Sequence, residues 1–127
     1  MVKNRYFARM LMLKTLLLYL MAILYIAAGV NHFLRPRMYE RIIPPYLPAP
    51  GILNYAAGTA EVLLGVALLF PVTRPWAAWG IVVLLVAVFP SNLYMYQQGT
   101  PGIPSWVLLL RLPLQGALIV WAWWYTR

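Results

Sequence analysis

Cysteine is absent from the 127 residues, and histidine occurs only once. Without a thiol, the chain cannot carry out thiol–disulfide exchange, ligate an iron–sulfur cluster or build a thiolate zinc site. Two acids and one histidine also leave too few ligands for a metal site made by this chain alone. Charge is scarce in general. Only 9% of the residues are Asp, Glu, Lys or Arg, against roughly 25% in soluble domains. A water-soluble globule is therefore not the expected product.

What the sequence has instead is hydrophobicity, 64% of all residues, gathered in four blocks. They cover about 11–33, 52–70, 76–96 and 103–124, each near the ~20 residues that a helix needs to cross a bilayer. The expected fold is all-α: a single membrane domain over 1–127, folded as an integral membrane four-helix transmembrane bundle. The second and third connections, "PVTRP" and "QQGTPG", are short, so neighbouring helices should be antiparallel. The first block follows a basic start but is too long for a signal-peptide core and shows no clear cleavage site, so it reads as an uncleaved span.

The first connection differs from the others. "LRPRMYERIIPPYLPAPG", residues 34–51, holds five prolines, which forbid a regular helix through its second half. A helical turn around 38–43 followed by an extended, aromatic-bearing loop on the membrane surface is expected. Tyr39, Pro45 and Tyr46 are its candidates for roofing a pocket.

The formal charge of +8 does not point to nucleic acid, because the basic residues cluster at block ends, where they set topology and meet lipid head groups. Lys3, Arg5, Arg9, Lys14, Arg74 and Arg127 fall on one side, whereas Arg35, Arg37 and Arg41 fall on the other. Six against three is expected to place both termini in the cytoplasm and the proline-rich loop outside, in the cell (inner) membrane.

Polar groups inside the blocks are few, and each is costly in a bilayer. They are Asn31 and His32 in "GVNHF", Glu61 in "GTAEVLLG", Asn92 in "FPSNLYMY", and Arg111 and Gln115 in "RLPLQ". Glu61 lies nine residues past Ile52 and Arg111 eight past Ile103, so they sit about 13.5 Å and about 12 Å below the same face. A lone arginine at that depth costs about 2.5–3.5 kcal/mol on insertion scales. Depth matching thus predicts a Glu61–Arg111 ion pair, either as a tie between helices or as part of a ligand site. Gly58 and Gly65 flank the acid on one helix face, which favours close helix approach. His32, Asn31 and Asn92 belong to the same outer half, and together these residues outline an outward-opening polar pocket.

These motifs, in this order, resemble the DoxX and DoxX-like family of small four-helix membrane proteins. "GVNHFLRP" closes the first span, "PPYLP" lies in the outer loop, "GTAEVLLGVALLFP" crosses the second, "FPSNLYMY" ends the third and "RLPLQ" lies in the fourth. The likeness extends from about Ile23 to Trp124. It implies an accessory or ligand-binding subunit of a quinone-linked membrane redox system, with a quinone or lipid as ligand, no covalently bound cofactor, and another membrane protein or redox subunit as partner. A eukaryotic relative, NACHO, is an assembly chaperone, so the resemblance equally implies a non-enzymatic assembly factor. A small proton-coupled transporter ranks below both, because an arginine beside Glu61 opposes the proton exchange that such transport needs. No self-contained catalytic site is visible, so any enzymatic role would be as part of a quinone oxidoreductase assembly. Membrane lipids are expected partners, and a homodimer would cover some of the apolar surface.

Overall fold

A computed structural model describes residues 2–99 and 102–127 of the chain. Thr100 and Pro101, in the expected third connection, and Met1 lie outside the described residues. The described residues form five α-helices and a terminal 3-10 turn: α1 (Val2–Leu34), α2 (Pro36–Ile42), α3 (Pro50–Leu68), α4 (Arg74–Gln98), α5 (Ser105–Trp123) and the turn Trp124–Thr126. Four of them, all but α2, are long and apolar enough to cross a membrane, as a membrane protein requires.

Helix ends follow backbone chemistry rather than hydrophobicity. Helix α1 begins nine residues before its apolar block, because Lys3, Arg5 and Arg9 are good helix formers and no proline or glycine interrupts them. At 33 residues it is about 50 Å long, well beyond a hydrocarbon core of about 30 Å. Helix α3 opens with Pro50 in its first turn, where a missing N–H costs nothing. It stops at Leu68, two residues short of the apolar block's end, because Pro71 disfavours helical backbone just before it. Gly99, at φ 73°, ends α4.

The packing is pairwise. Helix α1 packs on α3 and α4 on α5, and the two pairs join where α3 meets α4. On α1, His32, Gly29 and Ala22 face Asn54, Gly58 and Gly65 of α3 respectively, so these two helices run in opposite directions. The same holds for α4 and α5, where Met95 meets Arg111 and Leu85 meets Gln115. The α1–α3 approach depends on glycine. A Cβ on Gly58 would stand 2.6 Å from the His32 Cβ and 2.9 Å from the Gly29 carbonyl oxygen, and one on Gly29 would stand 2.6 Å from the Gly58 oxygen.

The buried apolar core occupies the half that carries the termini. Leu18, Met21 and Ala22 of α1 meet Leu68, Ala77, Ala78, Ile81, Leu85, Ala122 and Tyr125 there. Arg74 closes the end of α3, its Nε donating to the Leu68 carbonyl at 2.8 Å. The opposite half is hollow.

Candidate functional site

The hollow is a cavity of about 410 Å³ to which all five helices contribute. Its walls are mainly apolar, including Ala57 and Ala60 of α3 with Leu84, Ala87 and Val88 of α4. Polar side chains converge from two sides. His32, Tyr39, Asn54 and Glu61 come from α1, α2 and α3, whereas Ser91, Asn92 and Arg111 come from α4 and α5.

The first side is built on Gly58. With no side chain there, the backbone of α1 settles against α3 and the His32 Cβ rests over the glycine. The imidazole then lies between the residues four before and three after Gly58, which are Asn54 and Glu61. Asn54 is almost fully buried (1% exposed) and holds the histidine twice. Its Nδ2 donates to the His32 carbonyl at 2.9 Å, and its Oδ1 accepts from the ring Nδ1 at 2.7 Å. The Tyr39 ring stacks on the imidazole, with centroids 3.7 Å apart and planes at 19°. Asn31 Nδ2 donates to the Tyr39 hydroxyl at 2.7 Å, so Asn31 positions the roof from outside the cavity.

His32 Nε2 stands 3.4 Å from Glu61 Oε2. The approach is close enough for an ion pair but lacks hydrogen-bond alignment. Oε2 is buried with no hydrogen-bond partner among the described residues. Asn54 assigns a hydrogen to Nδ1, so a neutral ring would turn a lone pair toward the carboxylate. Attraction between the two therefore needs one further proton, on Nε2 or on Oε2.

The expected Glu61–Arg111 pair is corrected here: the partner of Glu61 is His32, and among the described residues no carboxylate lies within 4.0 Å of Arg111. Both charges line the same cavity, but α5 packs on α4 rather than on α3. Arg111 consequently meets α4, where its Nη1 is 3.7 Å from the Met95 sulfur, a weak acceptor. The side chain is exposed in the isolated chain. Histidine reaches Glu61 first because the glycine contact brings α1 closest to α3.

Gln115, buried at 4% exposure, lies behind the cavity wall. Its Nε2 donates to the Leu85 carbonyl in the turn before Pro90, and its Oε1 accepts from Asn92 Nδ2 at 2.6 Å. The asparagine is thereby fixed two residues past Pro90 in α4. Of the candidate roof residues, Tyr39 lines the cavity together with Ile42, Ile43 and Leu47. Pro45 and Tyr46 do not line it. The chain turns there, Leu47 N–H donating to the Pro44 carbonyl at 3.0 Å, and leaves Tyr46 73% exposed.

Asn54 is the important residue that sequence reasoning missed, with Ser91 a lesser one. A signal for Asn54 was present. Residues 54, 58, 61 and 65 follow one helical stripe, so the asparagine belongs to the same face as the two glycines and the acid.

No curated protein and no solved structure matches this chain. A family model described as "Domain of unknown function (DUF8561)" matches residues 21–126, from the start of the α1–α3 contact to the terminal turn, and the chain belongs to that family.

Proposed function

We propose that the cavity binds the head group of a quinone-like amphiphile and that the chain serves as an accessory subunit of a quinone-linked membrane redox system. The observation that carries this reading is the buried Glu61 Oε2, which has no hydrogen-bond partner among the described residues, in the wall of a mainly apolar cavity that also holds Arg111 and Asn92. A volume of about 410 Å³ falls within the ~300–1,000 Å³ of small-molecule sites. A hydroquinone hydroxyl would donate to Glu61, the His32–Glu61 pair would take or return its proton, and Arg111 with the second amide N–H of Asn92 would donate to the far oxygen. Another subunit would accept the electrons of quinol oxidation or supply those of quinone reduction, because this chain has no redox ligand set of its own. The likeness of its motifs to the DoxX-like proteins supports the same reading.

The membrane placement belongs to this proposal. The helices form an antiparallel four-helix bundle in the cell membrane, with both termini cytoplasmic and the roofed cavity in the outer half. The six-to-three division of basic residues supports that orientation. Because the chain has no cysteine, single reporters can test it without background. Tyr46→Cys should react with an impermeant maleimide added to intact cells and Arg127→Cys should not; the reverse pattern would invert the topology.

The binding test uses purified protein in nanodiscs titrated with a short-chain quinone. Saturable binding that weakens at least about ten-fold in Glu61→Gln, a difference of about 1.4 kcal/mol, is expected. Folded wild-type protein that binds neither quinone nor quinol would sink the proposal.

One observation favours a second reading, an assembly factor. Arg111 has no acidic partner among the described residues and is exposed, so a partner helix bearing a carboxylate could complete it. Stable co-purification of one membrane protein, lost in Arg111→Ala with the fold intact, would support that role. The proton-coupled exporter also regains ground, since the group beside Glu61 is a histidine rather than an arginine. Its signature would be Glu61-dependent proton uptake on adding a cationic substrate.

A further inference from the structure

At the opposite end of the molecule, Lys14, Arg74 and Arg127 surround a second hollow of about 200 Å³, completed by Thr15, Leu18 and Tyr125. We propose that this hollow binds a phosphate group presented by an anionic phospholipid.

Three cations from well-separated parts of the chain meet there, and among the described residues none has a carboxylate within 4.0 Å. Each is held by something other than an acid. Arg74 donates through Nε and Nη2 to the carbonyls of Leu68 and Leu69, at 2.8 Å and 3.4 Å, which leaves Nη1 without a backbone acceptor. The Lys14 ammonium lies 5.5 Å from the Trp124 ring centre and 5.8 Å from that of Tyr125. The Arg127 guanidinium covers the Trp123 ring at 4.0 Å. The Tyr125 hydroxyl donates to the Lys14 carbonyl at 2.9 Å, pinning the end of the chain to α1 and fixing the hollow's shape. Aromatic faces and carbonyls position the cations without neutralising them, so the site keeps an excess of positive charge for an anion to satisfy.

Its level suits a lipid. From Lys14 to Leu34, the end of α1, is 20 residues, about 30 Å of helix and thus about one hydrocarbon thickness. With the far end of α1 at one membrane surface, the three cations stand at the phosphate level of the other. One turn inward of Thr15 on the same face of α1, Tyr19 is exposed, a surface against which an acyl chain can lie. The inference does not depend on what occupies the larger cavity.

The test compares delipidated protein in phosphatidylcholine nanodiscs, in the same nanodiscs with inorganic phosphate, and in nanodiscs containing phosphatidylglycerol. Retained lipid is counted by native mass spectrometry, and the Tm is recorded in each condition. Phosphatidylglycerol should be retained selectively and raise the Tm, as any ligand of the folded state does, whereas inorganic phosphate should not. Lys14→Gln and Arg127→Gln should each weaken retention roughly five-fold, as expected for one basic residue near a charged surface. Arg74 is left intact because it also caps α3. Arg37→Gln, at the other end, is the charge-matched control and should retain lipid as the wild type does. Equal losses in the control, or no preference for the anionic lipid, would overturn the site. An equal Tm rise with inorganic phosphate would overturn the assignment to a lipid.

Discussion

The two ends of the same four long helices are packed by opposite rules. Toward the termini, Met21, Ala22, Leu68, Ala78, Ile81 and Ala122 are fully buried and fill the space between helices. Toward the proline-rich connection, a cavity of about 410 Å³ replaces that filling, and the buried polar side chains His32, Asn54 and Gln115 lie in or behind its wall. Alanines line both halves. In the filled half they pack against Leu18, Met21, Leu68 and Ile81, whereas Ala56, Ala57, Ala60 and Ala87 border open volume in the other half. Several polar groups of the hollow half are paired, His32 with Asn54, Asn31 with Tyr39 and Asn92 with Gln115, and an unpaired polar group in hydrocarbon costs several kcal/mol. In this fold, one half holds the helices together and the other is available for chemistry.

That division can be broken deliberately, and the largest effect is expected in the filled half. Ile81→Ala should cost about 2–5 kcal/mol of stability, read as a loss of Tm in detergent, while surviving folded protein binds ligand as before. Gly58→Ala comes next. Its Cβ would meet the backbone of Gly29 as well as His32, so α1 and α3 must separate, at about 1–3 kcal/mol. Here quinone binding should fall along with Tm, because His32 moves with α1. Asn54→Leu strands the His32 ring nitrogen and carbonyl and should cost about 1–2 kcal/mol, near the upper range for membrane hydrogen bonds. The histidine's NMR tautomer signature should then lose its fixed Nδ1–H form.

Arg111→Gln should have the smallest effect on stability, within about 0.5 kcal/mol, because no ion pair is lost. A buried Glu61–Arg111 pair would instead make the substitution cost about 3–5 kcal/mol. A thermal melt of this one variant therefore separates the two arrangements. It also sharpens the contrast between halves, since a residue of the hollow half should then matter for ligand and hardly for fold.

Much of this was legible in the sequence, for identifiable reasons. The four long helices follow from apolar runs separated by Pro71, Gly99 and the proline cluster. Their ends were less legible because helix formation and membrane burial obey different preferences: Lys3 and Arg5 are helical residues that have no place in hydrocarbon. The site was legible in depth but not in azimuth. Counting residues brought Glu61 and Arg111 to one level, and both do line the cavity. Which neighbour each meets depends on which helices touch, and counting along a helix carries no such information. The glycine stripe through Gly58 did carry it, because the helix that packs on a glycine face is the one whose side chains reach the adjacent acid.

The contact between Gly29 and Gly58 gives that stripe a metrological role. Two backbones touching without side chains between them have no slack, so the spacing of α1 and α3 is set by covalent geometry instead of by rotamers. The 3.4 Å between His32 and Glu61 inherits that tolerance. A proton site gauged in this way can keep its dimensions while the cavity beside it fills, empties or changes occupant.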